Sequence, residues 1–500
     1  MGRYFSDYRR QFAARPYKTD FNIIQSELQK IIKISGDSLP LAALIRRIYM
    51  EKMMLSEIAE ALGTTIKKEA EITSVSTDTR DIKKGSVFVA IKGDRFDGHD
   101  FAAKAVENGA EAVISERQIE DVDCIITENT RKAYLELAGY YRNKFSPILV
   151  GVTGSVGKTT TKEMISLVLS EKYNTLKTSG NLNNEIGLPK TLFNLTSEHQ
   201  AAVIEMGMSD FGEIERLSRT ARPTIGVITN IGFSHIENLH SQQGILQAKL
   251  EILRGMDGSA PLIVNADDVS LYPLTYQLGR EVLSYGIKNP DSDFRAVDIR
   301  EEDDRVYFTV QYREGSREIM LPCIGRHNIM NALASFCIGI KCGLTPDEIA
   351  SALSRYKACG LRQNIVKKGQ QTVIIDCYNA SPDSMKASLS VLSQLKNPRK
   401  TAVLGSMLEL GNMSRMLHEK VAEFAYETKP DKIFCYGDEC RFTAERAAML
   451  GLDAEYINDK KQLAEALKNY LQPDDAVLFK GSRGMQLEEV IDMVYGSQEA

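Results

Sequence analysis

Residues 147–163 read P-I-L-V-G-V-T-G-S-V-G-K-T-T-T-K-E. The apolar run 147–152 has the length and branching of a buried strand, and Thr159–Ser170 carries a helical apolar pattern. A glycine-rich turn joins them. Five residues separate Gly151 from Gly157, one more than the strict G-x-x-x-x-G-K-[ST] spacing. The chemically needed part is intact. Gly154 and Gly157 allow a tight turn whose backbone N–H groups converge on phosphate oxygens, and the positive end of the following helix faces the same anion. Lys158 reaches the terminal phosphates, and the Thr159 hydroxyl is a ligand for Mg²⁺. Thr153, Gly154, Ser155, Val156, Gly157, Lys158, Thr159 and Thr160 are therefore expected to hold a nucleoside triphosphate. Such a loop does not name a reaction, because kinases, ATPases, GTPases and ligases all use one. A guanine-reading N-K-x-D is absent.

Outward from this loop the chain alternates strand and helix patterns. Strands are expected at Ala201–Glu205, Thr224–Thr229 and Leu262–Asn265, and after residue 360 at Thr372–Ile375, Thr401–Leu404, Lys432–Cys435 and Ala476–Phe479. Alternation of this kind implies parallel sheets covered by helices on both faces. Upstream, Gly85–Ile91 and Ala112–Ser115 as strands with Phe101–Asn108 as a helix suggest a small α/β domain ending near residue 146. Ser56 is placed as the N-cap of a helix that Gly63 stops. The expected organisation is an extension over 1–52, a small domain over 53–146, a central nucleotide-binding domain over 147–358 and a C-terminal domain over 359–500. In the extension, Phe21, Ile24, Leu28 and Ile31 follow helical spacing, as do Leu41, Leu44, Ile45 and Ile48. Two amphipathic helices result, free to pack on the body, a partner or a membrane surface.

Five hundred residues correspond to about three domains at roughly 150 residues each. Lys plus Arg total 62 against 67 Asp plus Glu, a net charge of −5, which disfavours a general nucleic-acid binder. No apolar run approaches the roughly 18 residues needed to span a bilayer. The basic N-terminus lacks the apolar stretch of a secretory signal, although Gly2 to Ser6 match the short myristoylation pattern. Eight scattered cysteines suit reduced thiols in a cytoplasmic protein, and Cys435 with Cys440 lack partners for a zinc site.

Further stretches carry a family resemblance. TGSVGKTTTKE (153–163), NLNNEIGLP (181–189), EMGMSDFGEI (205–214), NIGFSH (230–235), AKLEI (248–252), NADD (265–268) and GRHNIMNALAS (325–335) resemble the central domain of the Mur ligases, which build the peptide stem of peptidoglycan. STDTR (76–80) and the stretch 85–101 resemble the family's UDP-sugar-binding domain. IIDCYNASPDSMKASL (374–389), VLGSMLELGNMSRMLHEKV (403–421) and VLFKGSRGMQLEEVI (477–491) resemble its C-terminal domain. The likeness spans about residues 54–491 in consistent order. The D-N-P-R motif of the branch that adds a diamino acid is absent. The C-terminal motifs instead resemble the branch that joins D-alanyl-D-alanine to UDP-N-acetylmuramoyl-tripeptide.

The resemblance implies a three-domain α/β architecture and an ATP- and Mg²⁺-dependent amide ligase, cytoplasmic and monomeric, that works through an acyl phosphate. It implies that Lys158 contacts the terminal phosphates, that Thr159 and Glu205 hold one Mg²⁺, and that His235 helps hold a second. It implies that Lys249 is carbamylated, becoming an anionic oxygen ligand for a hard cation. By the same likeness Asn328, Asn331, Arg362 and Asp376 contact the nucleotide, Thr79 and Arg80 the UDP group, and Asn379 and Ser381 the dipeptide. The family commonly has Asp before Met-Leu-Glu-Leu-Gly; here Ser406 stands there, which removes a carboxylate expected near the dipeptide side. A related ligase with another acyl or amine substrate is one alternative. A noncatalytic nucleotide-binding relative is another, against which stands the retention of Lys158, Thr159, Glu205, His235 and Lys249.

Overall fold

The strand Ile148–Thr153 lies between two parallel neighbours, Ile225–Ile228 and Ala201–Glu205. Its residues are buried almost throughout, as a strand with both faces covered requires. The structure, a computed structural model, describes residues 50–496 apart from 94, 303 and 359. The expected helices of the 1–52 extension and Cys359 thus lie outside the described residues. The seven described cysteines are free.

The chain forms two units, one comprising residues up to 130 with 193–196, the other residues 131–192 with 197–500. The larger unit contains two sheets. The first has nine strands in the order Gly315–Leu321, Arg305–Tyr312, Phe294–Glu302, Val282–Gly286, Leu262–Asn265, Ile225–Ile228, Ile148–Thr153, Ala201–Glu205 and Thr175–Lys177. From Thr175–Lys177 to Phe294–Glu302 every pairing is parallel. The last two pairings are antiparallel, so the sheet is mixed rather than wholly parallel as expected. These added strands alternate buried and exposed residues, with Val306, Phe308 and Val310 inward and Thr309 and Gln311 outward. That one-sided pattern differs from the continuous apolar runs by which the parallel strands were read.

The helix Lys158–Leu169 buries Met164, Ile165, Val168 and Leu169 against this sheet and against the helix Arg326–Lys341. Each such side chain contributes about 1.5–3 kcal/mol on removal from water. The phosphate-loop end of one helix and the Asn328/Asn331 end of the other are thereby fixed side by side.

The second sheet follows the order Asn364–Lys368, Gln371–Asp376, Ala476–Lys480, Lys400–Gly405, Lys432–Tyr436 and Ala454–Tyr456. Only the first pairing is antiparallel. Its core gathers Val373, Val403, Phe434, Val477 and Phe479 with Leu463, Leu467 and Leu487 from covering helices.

In the smaller unit, Ser74–Ser76, Ser86–Val89, Ala110–Ser115 and Cys124–Ile126 form a parallel sheet. Phe88, Val113, Ala102 and Ala105 are part of its core. The helix Leu55–Ala61 begins two residues earlier than expected. Met54, not Ser56, is its N-cap, without a side-chain cap, because Met54 is held as a strand residue against Glu71.

Candidate active site

A cleft of about 960 Å³ in the larger unit is lined from the nine-stranded sheet by the phosphate loop, and from the six-stranded sheet by Asp376, the loop after it and Lys480. Strand C-termini open onto it from both sheets, the usual place for ligands in parallel α/β structures.

The phosphate loop is held from behind by Thr229 and Asn230. Asn230 accepts from the Val156 N–H at 3.0 Å and donates to the Val156 carbonyl at 3.0 Å, while Thr229 Oγ1 donates to that carbonyl at 2.7 Å. Gly157 has φ +83°, a left-handed conformation that glycine adopts without strain, and a Cβ there would stand 2.7 Å from Asn331 Oδ1. Asn331 also accepts from Thr161 Oγ1 at 3.0 Å. Lys158 donates to the carbonyls of Gly154 and Ser155 at 2.7 and 3.2 Å. Burial pushes the Lys158 amine down to about 8, with Glu205 pulling up and Arg362 pushing further down.

Glu205 is the last residue of its strand and is almost fully buried. Its carboxylate accepts from Thr159 Oγ1 at 2.9 Å and Asn183 Nδ2 at 2.8 Å, and Lys162 Nζ lies 3.9 Å away. A buried carboxylate needs such partners. Lys162, itself fully buried, donates to the Thr178 carbonyl at 2.7 Å, and Thr178 Oγ1 accepts from the Glu205 N–H.

His235 lines the cleft with φ +63° and makes an ion-pair contact with Glu409. Lys249 is about 1% exposed on the helix Gln242–Leu250, behind the cleft lining. Burial holds its amine well below the ordinary lysine range, and the positive Lys158 adds to this.

On the opposite wall, Arg362 stacks on the Tyr378 ring at 4.1 Å. Asp376 accepts from Ser388 Oγ at 2.6 Å and from the Gln363 N–H at 3.2 Å, and Lys480 Nζ lies 2.9 Å from it. Ser381 caps the helix Pro382–Gln394, and the Asn379 carbonyl accepts from Lys480 at 2.9 Å. Gln363 ties the two halves together. Its amide donates to the Ile324 carbonyl at 2.9 Å and accepts from Asn328 Nδ2 at 3.1 Å.

The structure thus brings Ser155 to Thr160, Glu205, His235, Asn328, Asn331, Arg362, Asp376, Asn379 and Ser381 to one cleft. Thr153 and Gly154 stand behind it in the strand and turn, and Thr79 and Arg80 belong to the smaller unit, where Arg80 pairs with Asp78 at 2.6 Å. Ser406 does not line the cleft. It is 2% exposed, and its hydroxyl accepts from the Cys440 N–H at 3.0 Å. The Ser406 side chain packs at the ends of the strands Lys400–Gly405 and Lys432–Tyr436, beside Gly437.

Sequence reading left Asn183, Asn230, Lys162, Gln363 and Lys480 without roles. Lys162, Asn183, Asn230 and Lys480 lie inside quoted motifs, but only their partners reveal what they hold.

Three family models match the chain: Mur ligase family, catalytic domain, over residues 71–147; Mur ligase middle domain over 152–339; and Mur ligase, glutamate ligase domain, over 361–483. A Bacillus subtilis relative named UDP-N-acetylmuramoyl-tripeptide--D-alanyl-D-alanine ligase is 38% identical over 88% of this chain and 98% of its own length. The chain belongs to the Mur ligase family. An Escherichia coli ligase of the same name is 36% identical over 88% of this chain and 98% of its own length. Among solved structures, MurF from Acinetobacter baumannii superposes with a TM-score of 0.83 at 30% identity, covering 90% of this chain and 100% of its own. The MurF ligase from Thermotoga maritima in complex with ADP gives 0.76 at 30% identity, covering 84% and 97%.

Proposed function

We propose that this chain is an ATP-dependent amide ligase of peptidoglycan precursor synthesis that joins D-alanyl-D-alanine to UDP-N-acetylmuramoyl-tripeptide. The observation that carries this reading is that Lys158, Thr159 and Glu205 face Arg362 and Asp376 across one cleft. It is supported by relatives of that name at 30–38% identity over nearly their whole lengths.

A carboxylate is a poor electrophile, so the tripeptide carboxylate takes the γ-phosphoryl group of ATP. The amine of the dipeptide then attacks the acyl phosphate, an amide forms, and phosphate leaves. The transferring group is crowded with negative charge, which calls for cations and oriented N–H donors. Lys158 and the loop amides hold the terminal phosphates on one wall, with Arg362 on the other. Asp376 receives the ribose, Asn328 and Asn331 flank the base, and Asn379 and Ser381 face the dipeptide. Thr79 and Arg80 hold the UDP group.

Among the described residues no three His, Cys, Asp or Glu side chains cluster as a self-sufficient metal site. The donors present are a hydroxyl, a carboxylate and an imidazole. That set fits Mg²⁺, which is commonly held by one or two carboxylates together with substrate phosphates. Thr159 and Glu205 would hold one ion and His235, with carbamylated Lys249, the other. Bound Mg²⁺ supplies charge neutralisation of the phosphoryl oxygens. Burial, which holds the Lys249 amine well below the ordinary lysine range, favours the neutral form that attacks CO₂, which an ammonium does not.

No helix among the described residues is long and apolar enough to cross a membrane. We place the enzyme in the cytoplasm, acting as a monomer, with the divisions near residues 53, 147 and 359 separating UDP-sugar, nucleotide and dipeptide binding. The test is ADP release with both substrates and with each omitted. ADP release that requires both, with an amide of the right mass, supports the reading. Nucleotide binding without turnover on this pair would overturn the substrate assignment.

A further inference from the structure

The segment 231–235, I-G-F-S-H, is gripped from two sides. The Gly232 N–H donates to Ser155 Oγ in the phosphate loop at 2.8 Å, and the Ile231 N–H donates to Asp268 at 2.6 Å. The Asp383 carboxylate, from the first turn of the helix Pro382–Gln394 on the opposite wall, lies against the Gly232 backbone of this segment. The Phe233 ring lies 5.4 Å from Lys420 Nζ of the same wall. Asp383 is exposed and lines the cleft.

A Cβ at Gly232 would stand 2.2 Å from Asp383 Oδ2 and 3.3 Å from Ser155 Cβ. The first separation is far inside van der Waals contact. The carboxylate therefore occupies the room that any other residue at 232 would fill. Three residues further on, His235 has a left-handed backbone that needs support from its surroundings.

We propose that Asp383 is a positioning residue for the ligase reaction: its carboxylate fills the gap left by Gly232 and so registers the His235 segment against the phosphate loop. The proposal rests on the reaction assigned above. Asp383 touches no reacting atom in this account; it acts through the backbone of the segment it holds.

The test compares Asp383→Ala, Asp383→Asn, Gly232→Ala and the double variant Gly232→Ala/Asp383→Ala in the full chain. Misplacement of a catalytic group by about 1 Å costs about 100-fold, so Asp383→Ala and Gly232→Ala should each lower kcat by about that factor. KM for ATP and for D-alanyl-D-alanine should stay within about twofold, because no substrate contact is lost. Asp383→Asn, whose side chain of the same shape still fills the gap beside Gly232, should keep most of the rate. The double variant should be no slower than Gly232→Ala alone, since truncating Asp383 removes the collision. A raised KM for D-alanyl-D-alanine at unchanged kcat in Asp383→Ala would make Asp383 a substrate contact and overturn the proposal, as would losses that multiply independently in the double variant. The same coupling is read without substrates in thermal unfolding, where the two losses must be non-additive; additive losses overturn the contact itself. A wild type that makes no amide counts against the assigned reaction, and the unfolding coupling still decides this contact. Should Gly232→Ala not fold, the contrast between Asp383→Asn and Asp383→Ala decides it.

Discussion

Asp376 and Lys480 are partners in register on adjacent parallel strands, and their side chains meet at 2.9 Å at the strand ends that face the cleft. Lys480 is only 2% exposed, and it also donates to the Asn379 carbonyl. One buried cation thus fixes both the acid assigned to the ribose and the loop assigned to the dipeptide.

Lys480→Met should therefore act in two ways. Removing one partner of a buried pair leaves the other uncompensated, at up to about 3 kcal/mol here because Asp376 keeps its bonds to Ser388 and Gln363. Denaturant unfolding reads that loss. KM for ATP should rise about tenfold, the equivalent of about 1.4 kcal/mol. An unchanged KM with lowered stability would leave Lys480 a purely structural residue.

Lys158→Ala should abolish turnover, by about 10³-fold or more, while the fold survives. The wild-type pH dependence follows from the depressed amine. With its value near 8, Lys158 loses its proton in the free enzyme as pH rises past 8. A bound triphosphate favours the charged amine and raises that value. ATP binding should therefore take up a proton above about pH 8, and affinity should fall as pH rises through that range. Calorimetry in buffers of different ionisation enthalpy measures the uptake. For stability the sign is opposite. Between about 8 and the ordinary lysine value the unfolded chain binds the extra proton, so this group makes the unliganded fold more stable as pH rises.

Lys249→Ala should be nearly inactive and partly rescued by a short carboxylate such as acetate, which returns an anionic oxygen to the vacated space. Wild-type enzyme stripped of bicarbonate should lose activity reversibly. Full activity of the unrescued variant would remove the carbamate assignment.

Gln363→Ala should loosen the tie between the two sheets. It removes a ring partner of His327 and one partner each of Asn328 and the Ile324 carbonyl, which still bond each other at 2.9 Å, so the cost is about 1–3 kcal/mol for one buried polar group left unpaired. Unfolding in denaturant should show the loss. A variant as stable as wild type would mean that water replaces the amide at no cost.

The phosphate loop, the parallel strands and the order of the motifs were legible in the amino-acid sequence because each is a property of a short contiguous stretch. A glycine turn between an apolar strand and a helix has few other solutions, and Ile148–Thr153 and Lys158–Leu169 fall within a residue of the expected bounds. The antiparallel strands Arg305–Tyr312 and Gly315–Leu321 escaped, because one-sided burial blurs into surface polarity without knowledge of which face is covered. Tertiary structure alone decided which distant residues meet. Asp376 and Lys480 are 104 positions apart and become neighbours through strand register. Lys249 reads as a surface helix lysine until packing buries it, and Gly232 reads as a loop glycine until Asp383 fills the space beside it. Local chemistry is written in adjacent residues; desolvation, pairing and close approach depend on the side chains that folding brings from elsewhere.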